Sequence, residues 1–397
     1  MSIGAAALPT VGRIEPISDV PGWLVRFPDR PHEAAELWLR DLWTCDLSSA
    51  SLRSYAFDLL RWLRFLHALG VPWQRAERWH VRELVEYLRV APNPQRVRRS
   101  PSAPPLGSVN LVTGKPYPTL GYAARTINHQ LTVVSGFYTF AIDADLGPLM
   151  NPVPQRAGRG GGRIYAHHNP MEPFAGSRRG KYRQRVPRQL PRSIPDQAVD
   201  NLFSALRSDR DRALVAFYLS SGVRASELLG VRLDGIDAGR RTIAVIAKGT
   251  REAAEVPASA DAFGWLALYL MQAAQQGCLD DGLVWHTLRR PHRPLTYHAM
   301  RAVLMRANEA LGTNHSLHDL RHTAAARMAS DPTFTLVDVQ SILRHASIST
   351  TLLYTRPRLE DLIAKVTEHH ARPRPVGLRI GEEYDAAQVR ELLGLTE

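Results

Sequence analysis

Two cysteines, Cys45 and Cys278, are all that 397 residues contain. They cannot build a disulfide framework or a cysteine-rich zinc site, and their scarcity fits a reducing compartment. No apolar run approaches the roughly 18 residues needed to span a bilayer, which argues against an integral membrane protein. The start, "MSIGAAALPTVGRIEP", lacks a charged segment ahead of a true apolar core, so a secretory signal is not expected. A cytoplasmic location is expected. Acidic residues are short as well: 38 Asp and Glu stand against 50 Lys and Arg, a net charge of +12. An excess of this size favours a polyanionic partner, either nucleic acid or an anionic membrane surface. The remaining composition is that of a folded chain, long enough for two or three domains with their own cores.

Residues 1–30, punctuated by proline and glycine, read as an irregular lead-in, and 31–150 as a helical domain. In "SLRSYAFDLLRWLRFLHALG", Tyr55, Leu59, Leu63 and Leu66 fall on one helical face, and Gly70 stops the helix. Arg53, Arg61 and Arg64 interleave on the other side as a candidate surface for a nucleic-acid partner. Residues 91–120 carry many prolines and the basic group Arg96, Arg98 and Arg99, which predicts a loop rather than a packed element. A further helix follows, with Ile127, Leu131, Val134, Tyr138 and Ala141 along one face.

The composition breaks at 151–192. Ten basic residues, among them Arg178, Arg179, Lys181, Arg183 and Arg185, face a single acid, Glu172. Gly160 to Gly162 and the prolines argue against a regular element. A merely flexible linker needs no such one-sided charge, so nucleic-acid contact is the favoured reading.

A second domain is expected over 193–371, followed by a tail or helix at 372–397. Its order is helices, one small sheet, then helices. β-Branched Thr242, Ile243, Val245 and Ile246, a turn at Lys248-Gly249 and Val256 on the return predict a hairpin. The expected class is mainly α with a small antiparallel β-sheet. "SLHDLRHTAAARM" opens with Ser316-x-x-Asp319, a capping-box start, and stacks His318, Arg321 and His322 on one edge of the helix. The i, i+4 histidines suit zinc, but the stretch lacks the glutamate of a zinc hydrolase, and Arg321 would repel the ion. No metal and no cofactor are expected. "TFTLVDVQSILRH" repeats the cap with Thr335 and Asp338, and delivers His345 at the helix end.

Arg224, Lys248, His318, Arg321, His345 and Tyr354 occur in that order, inside "SGVRASEL", "AKGTREAAEVP", "HDLRH" and "LRHASISTTLLY". Six residue types in ordered, spaced local text resemble the tyrosine recombinase (phage integrase) family, over roughly residues 190–360. Residues 31–150 are more loosely similar to the helical core-binding domain that precedes the catalytic domain in that family. The chemistry fits the set. Attack on a phosphodiester needs a nucleophile, charge neutralisation on the non-bridging oxygens and protonation of the leaving alkoxide. Two arginines, Arg224 and Arg321, supply planar forks for one phosphate. A tyrosine hydroxyl, with an ordinary pKa of about 10, must be activated in place. The expected roles are Tyr354 as nucleophile, His318 as its general base, Lys248 as general acid, His345 as a phosphate donor and Glu227 as an orienting group, with His322 in support.

The resemblance implies a covalent 3′-phosphotyrosyl intermediate, independence of ATP and metal, and exchange of strands through a four-way junction. It implies double-stranded DNA with specific recombination sites as partner, a tetramer on DNA, and room for an accessory DNA-bending protein. The reading is a site-specific recombinase of integrase or transposase type, from a mobile element. The alternatives are a type IB topoisomerase-like enzyme and a DNA-binding relative without catalysis. Arg344 departs from the pattern, standing where the family usually has glycine; phosphate contact and a reshaped helix end are the two readings it leaves open.

Overall fold

The computed structural model describes residues 7–18, 22–96, 104–154, 180–186, 192–247, 252–345, 347–354, 359–372 and 385–394. Lys248, Arg98, Arg99, Arg178 and Arg179 lie outside them. The chain divides into two units, residues 1–189 and 190–397.

The first unit opens with an antiparallel hairpin, β1 (Arg13–Pro16) and β2 (Trp23–Arg26), where an irregular lead-in was expected. Among the described residues the α-helices α1 (Glu33–Thr44), α2 (Ser49–Ala68), α3 (Arg78–Val90) and α4 (Ala124–Asp143) follow. Ser48 caps α2 through its hydroxyl, and Gly70 leaves it at φ 68°, as its position in the sequence predicts. Leu59, Leu63 and Leu66 of α2 meet Leu131, Val134 and Tyr138 of α4 in one buried cluster. The two indole and phenol groups at its centre keep their polar atoms satisfied: Trp62 Nε1 donates to the Tyr138 hydroxyl (3.0 Å), which donates to the Trp73 carbonyl (2.7 Å). Between α3 and α4 the described part of the proline-rich stretch is an ordered loop. Buried Asn110 accepts the N–H groups of Val112 and Thr113, and bridges tie Val109 to Pro116 and Pro92 to Gly121.

The second unit starts with α5 (Asp196–Ala205), α6 (Asp209–Ser221) and α7 (Ala225–Leu229). A three-stranded antiparallel sheet follows: β3 (Ile236–Asp237), β4 (Thr242–Ile246) and β5 (Ala253–Pro257), in that order. Residues 242–246 alternate, with Ile243 and Val245 buried, which is the period-2 signature of a half-buried strand. The expected hairpin is β4–β5, with Val245 opposite Ala254. The remaining helices are α8 (Ala260–Gln275), α9 (Tyr297–Leu311), α10 (Leu317–Ser330), α11 (Leu336–Leu343), α12 (Ile348–Thr351), α13 (Leu359–Ala371) and α14 (Ala386–Leu392). α6 lies against α8 and α10, inside a core that runs from Ile194 to Leu320. A small satellite cluster, Ala324, Ala325, Met328, Val339 and Leu343, joins α10 to α11, and Tyr354 packs on it.

Candidate active site

Three chain reversals assemble the site. The first is the end of α6. Gly222 adopts the left-handed conformation (φ 60°, ψ 23°), and a β-carbon there would come within 2.5 Å of Leu343 Cδ2. Glycine is therefore required on both backbone and packing grounds. The turn leaves Arg224 extended at the start of α7. Glu227, three residues on, reaches back to accept the Arg224 N–H (2.9 Å) and its guanidinium (2.7 Å).

The second is the start of α10, where Ser316 and Asp319 form the reciprocal cap that the sequence predicts, Asp319 Oδ2 accepting the Ser316 N–H at 2.8 Å. This fixes the helix so that Arg321 is buried, 5 % exposed. Its guanidinium donates to the carbonyl of Gly222 and to that of Leu343 (2.6 Å). Burial, aided by the charges of Arg224 and Arg344, brings the Arg321 pKa down to about 10, which leaves it protonated at neutral pH.

The third is the end of α11. Arg344 closes it in the left-handed region (φ 52°, ψ 50°), with its side chain only 13 % exposed. His345 follows, its Nδ1 within 2.9 Å of the hydroxyl of fully buried Thr351. The Tyr354 ring stacks on that of His345, with centroids 6.2 Å apart and planes inclined by 8°.

The Tyr354 hydroxyl meets His322 Nδ1 at 2.6 Å. His318 lies one turn back, its ring edge-on to His322 at 4.1 Å. The hydroxyl's partner is thus His322, whereas the motif had suggested His318. Burial, then the neighbouring His318, depress the His322 pKa to about 4. Burial and the charges of Arg321, Arg224 and Arg344 take His345 to about 4 as well. Both imidazoles are neutral at pH 7. Burial raises the Tyr354 pKa, with Arg321 opposing. Glu227 shows the reverse balance. Burial pushes its carboxyl up, but hydrogen bonds from Arg344 and Arg224 outweigh this and hold it at about 2.

Of the sequence-selected set, Arg224, Arg321, His318, His322, His345, Glu227 and Tyr354 come together at this one place. Arg344, an open question in the sequence, joins them through Glu227 (2.6 Å). Thr351 and the carbonyls of Gly222 and Leu343 were not anticipated; a hydroxyl behind an imidazole and two backbone acceptors leave no motif.

The other expected DNA contacts divide. Arg61 and Arg64 are turned inward rather than outward. Arg61 binds Asp58 and Gln130 beneath Tyr122, and Arg64 donates to the carbonyls of Val11 and Gly12 (both 2.6 Å). Each guanidinium satisfies acceptors within the unit. Arg53 lies over the rings of Trp23 and Phe57. Arg96 ends a short 3₁₀ turn, Pro94–Arg96. Lys181, Arg183 and Arg185 are all exposed, and Arg183 also donates to Thr132 (2.9 Å) on α4.

Comparison with known proteins bears on this arrangement. Residues 192–360 match the phage integrase family, and residues 35–98 match the phage integrase N-terminal SAM-like domain. Tyrosine recombinase XerD of Proteus mirabilis is 33 % identical over 201 residues, 47 % of this chain and 62 % of XerD. Tyrosine recombinase XerC of Azotobacter vinelandii is 31 % identical over 262 residues, 64 % of this chain and 77 % of XerC. The match to XerD therefore spans about three-fifths of that protein's length. Two solved structures share the fold. The XerH site-specific recombinase on a palindromic difH substrate, in a post-cleavage complex, has a TM-score of 0.54 and 16 % identity, covering 82 % of this chain and 81 % of that one. The Tn1549 transposon integrase with transposon right end DNA has a TM-score of 0.53 and 14 % identity, covering 85 % and 99 %. With its helical first unit and a second unit that joins two arginines, three histidines and a tyrosine, the chain belongs to the tyrosine recombinase (phage integrase) family.

Proposed function

We propose that this chain is a site-specific DNA recombinase of a mobile element, cutting and rejoining DNA through a 3′-phosphotyrosyl intermediate. One observation carries the reading: the Tyr354 hydroxyl is hydrogen-bonded to a neutral imidazole, His322, beside Arg224 and Arg321. A structural tyrosine needs only a partner for its hydroxyl. A nucleophile needs a base that is unprotonated at neutral pH and cations for the phosphate it attacks, and this one has both.

Tyr354 Oη attacks the phosphorus, the P–O bond to the 5′ oxygen breaks, and a 5′-hydroxyl leaves with a proton. With its own proton on Nε2, His322 takes the phenolic proton at Nδ1. Burial makes Tyr354 a weaker acid and His322 a weaker base, so transfer in the resting state is disfavoured. The proton leaves as the new P–O bond draws electron density from the phenol oxygen. Arg224 and Arg321 stabilise the equatorial oxygens as their charge grows. His345, held by Thr351, is available to donate to the same phosphate, and Lys248 is the candidate donor to the leaving 5′ oxygen. The phosphotyrosyl ester conserves the bond energy, so a second 5′-hydroxyl can reverse the step on a new strand. Paired exchanges of this kind lead to a four-way junction within a tetramer on two sites. The basic stretch at 151–192 and the insertion at 91–120, longer than a compact recombinase needs, support the mobile-element assignment.

The test is a nicked suicide duplex carrying a sequence selected by binding from a random pool. A denaturant-resistant protein–DNA adduct is expected from the unaltered chain and none from Tyr354→Phe. Binding without any adduct in the unaltered chain would overturn the assignment.

A further inference from the structure

Arg344 occupies backbone that glycine adopts freely and other residues resist, because their β-carbon crowds the following carbonyl. Closing α11 does not require an arginine; glycine would close it without strain. A strained residue persists where its surroundings hold it, and here the holding partner is Glu227. Arg344 Nη2 donates to Glu227 Oε2 (2.6 Å) and Nη1 donates to the Ile342 carbonyl (2.8 Å). The other carboxylate oxygen, Oε1, accepts from Arg224 Nη1 (2.7 Å). Arg224 Nη2 in turn donates to the backbone carbonyl of Arg344 (2.9 Å). The three residues close a ring that links the start of α7 to the end of α11.

The ring changes what Arg224 can do. Paired with Glu227 alone, Arg224 would form a neutral couple. With Arg344 on the same carboxylate, the three groups carry a net charge of +1. Two of the five N–H groups of Arg224 go to Glu227 and Arg344, and the rest of the fork can serve an outer anion. Arg344 itself is turned inward, with its side chain 13 % exposed. We propose that Arg344 is a positioning residue for strand cleavage: by sharing Glu227 with Arg224 it leaves the group a net positive charge and part of the Arg224 fork for the scissile phosphate, and it does not itself grip DNA. This inference rests on the recombinase reading.

The test compares adduct formation on the nicked suicide duplex at saturating protein, duplex affinity, and the salt dependence of that affinity. Arg344→Gly is expected to fold, since glycine suits the backbone, and to bind within about twofold of the unaltered chain. Its cleavage rate should fall about tenfold or more. Arg344→Lys and Arg344→Met, similar in length with and without a charge, make the comparison independently of glycine, and the lysine variant should be the faster. In a Glu227→Gln background, Arg344→Gly should add no further loss, because its effect runs through that carboxylate. Unaltered cleavage in Arg344→Gly, equal rates for the lysine and methionine variants, or full additivity with Glu227→Gln would overturn the proposal. So would a defect confined to affinity with the salt slope reduced by about one, the mark of a direct phosphate contact. An unaltered chain that forms no adduct overturns the functional reading, and this inference with it, whereas a variant defect of the wrong kind removes this inference alone.

Discussion

His322 and His345 respond to acid in the opposite sense to histidines that gain a carboxylate partner. Folded, both have pKa values of about 4; unfolded, they titrate near 6.5. As pH falls from 6.5 toward 4 the unfolded chain takes up protons that the folded site refuses, so stability declines across that window. Below about 4 the folded site protonates too and this loss ends. Glu227 adds a second, lower window, since its folded value of about 2 against an ordinary 4.5 means its contribution is present above 4.5 and lost as pH falls through 2. Thermal melts between pH 7 and 4.5 should thus report histidines rather than Glu227. His32 and His80 shift the same way through burial, so the informative comparison is His322→Gln, whose melting temperature should fall less over this range. Activity should follow the same group. Cleavage should persist from pH 8 to about 5 and drop as pH approaches 4, and His322→Ala should slow it about a hundredfold, in the range of a lost general base. A pH profile unchanged by removal of His322 would return the base role to His318. The sequence could not choose between them. Spacing of i, i+4 puts both imidazoles on one helix edge, and only the packing of Tyr354 against α10 decides which one the hydroxyl reaches.

At the level of elements, caps and periodicity were readable because their causes are local. Ser316 with Asp319, and Thr335 with Asp338, start α10 and α11 as their spacing dictates. The apolar faces of α2 and α4 are the predicted ones, with Tyr55 half-buried at the margin. The β1–β2 hairpin was not readable: its strands are four residues long, and a proline ends the first. One tie that holds the lead-in is Arg64, whose acceptors are backbone carbonyls more than 50 positions earlier. Long-range bonds to main-chain oxygen carry no residue signature. Gly222 combines both kinds of information, a local turn and a distant contact with Leu343. Gly222→Ala should cost about 1–2 kcal/mol for the left-handed backbone and roughly 1–3 kcal/mol for forcing a methyl group against Leu343. It would also displace the carbonyl that holds Arg321. The expected result is a melting temperature several degrees lower, with cleavage reduced more than DNA binding. Equal losses in both would show that the turn supports the unit as a whole rather than Arg321.

For the whole molecule, the charge is carried almost entirely by arginine: only four lysines, Lys115, Lys181, Lys248 and Lys365, occur in the chain. Net charge alone does not say which arginines are available to a polyanion, and the structure sorts them. Arg61 and Arg64 spend their donors on the first unit's interior, and Arg183 donates to α4. Neutralising Arg61 or Arg64 would disturb packing, and neutralising exposed Arg183 would remove a surface bond to α4, so either confuses a binding measurement. Lys181 and Arg185 are exposed, and Arg178 and Arg179 lie just upstream in the most one-sidedly basic stretch of the sequence. Replacing these four with glutamine should therefore weaken duplex binding uniformly across sequences. Each phosphate contact contributes about 0.9 to the slope of log affinity against log salt, so the slope should flatten by about three to four if all four engage. The second unit's melting behaviour should be unchanged, because none of the four belongs to its core. A slope that stays as steep as that of the unaltered chain would mean that the connector's charge does not meet phosphate, and would shift the electrostatic share of binding to Arg53 and Arg96.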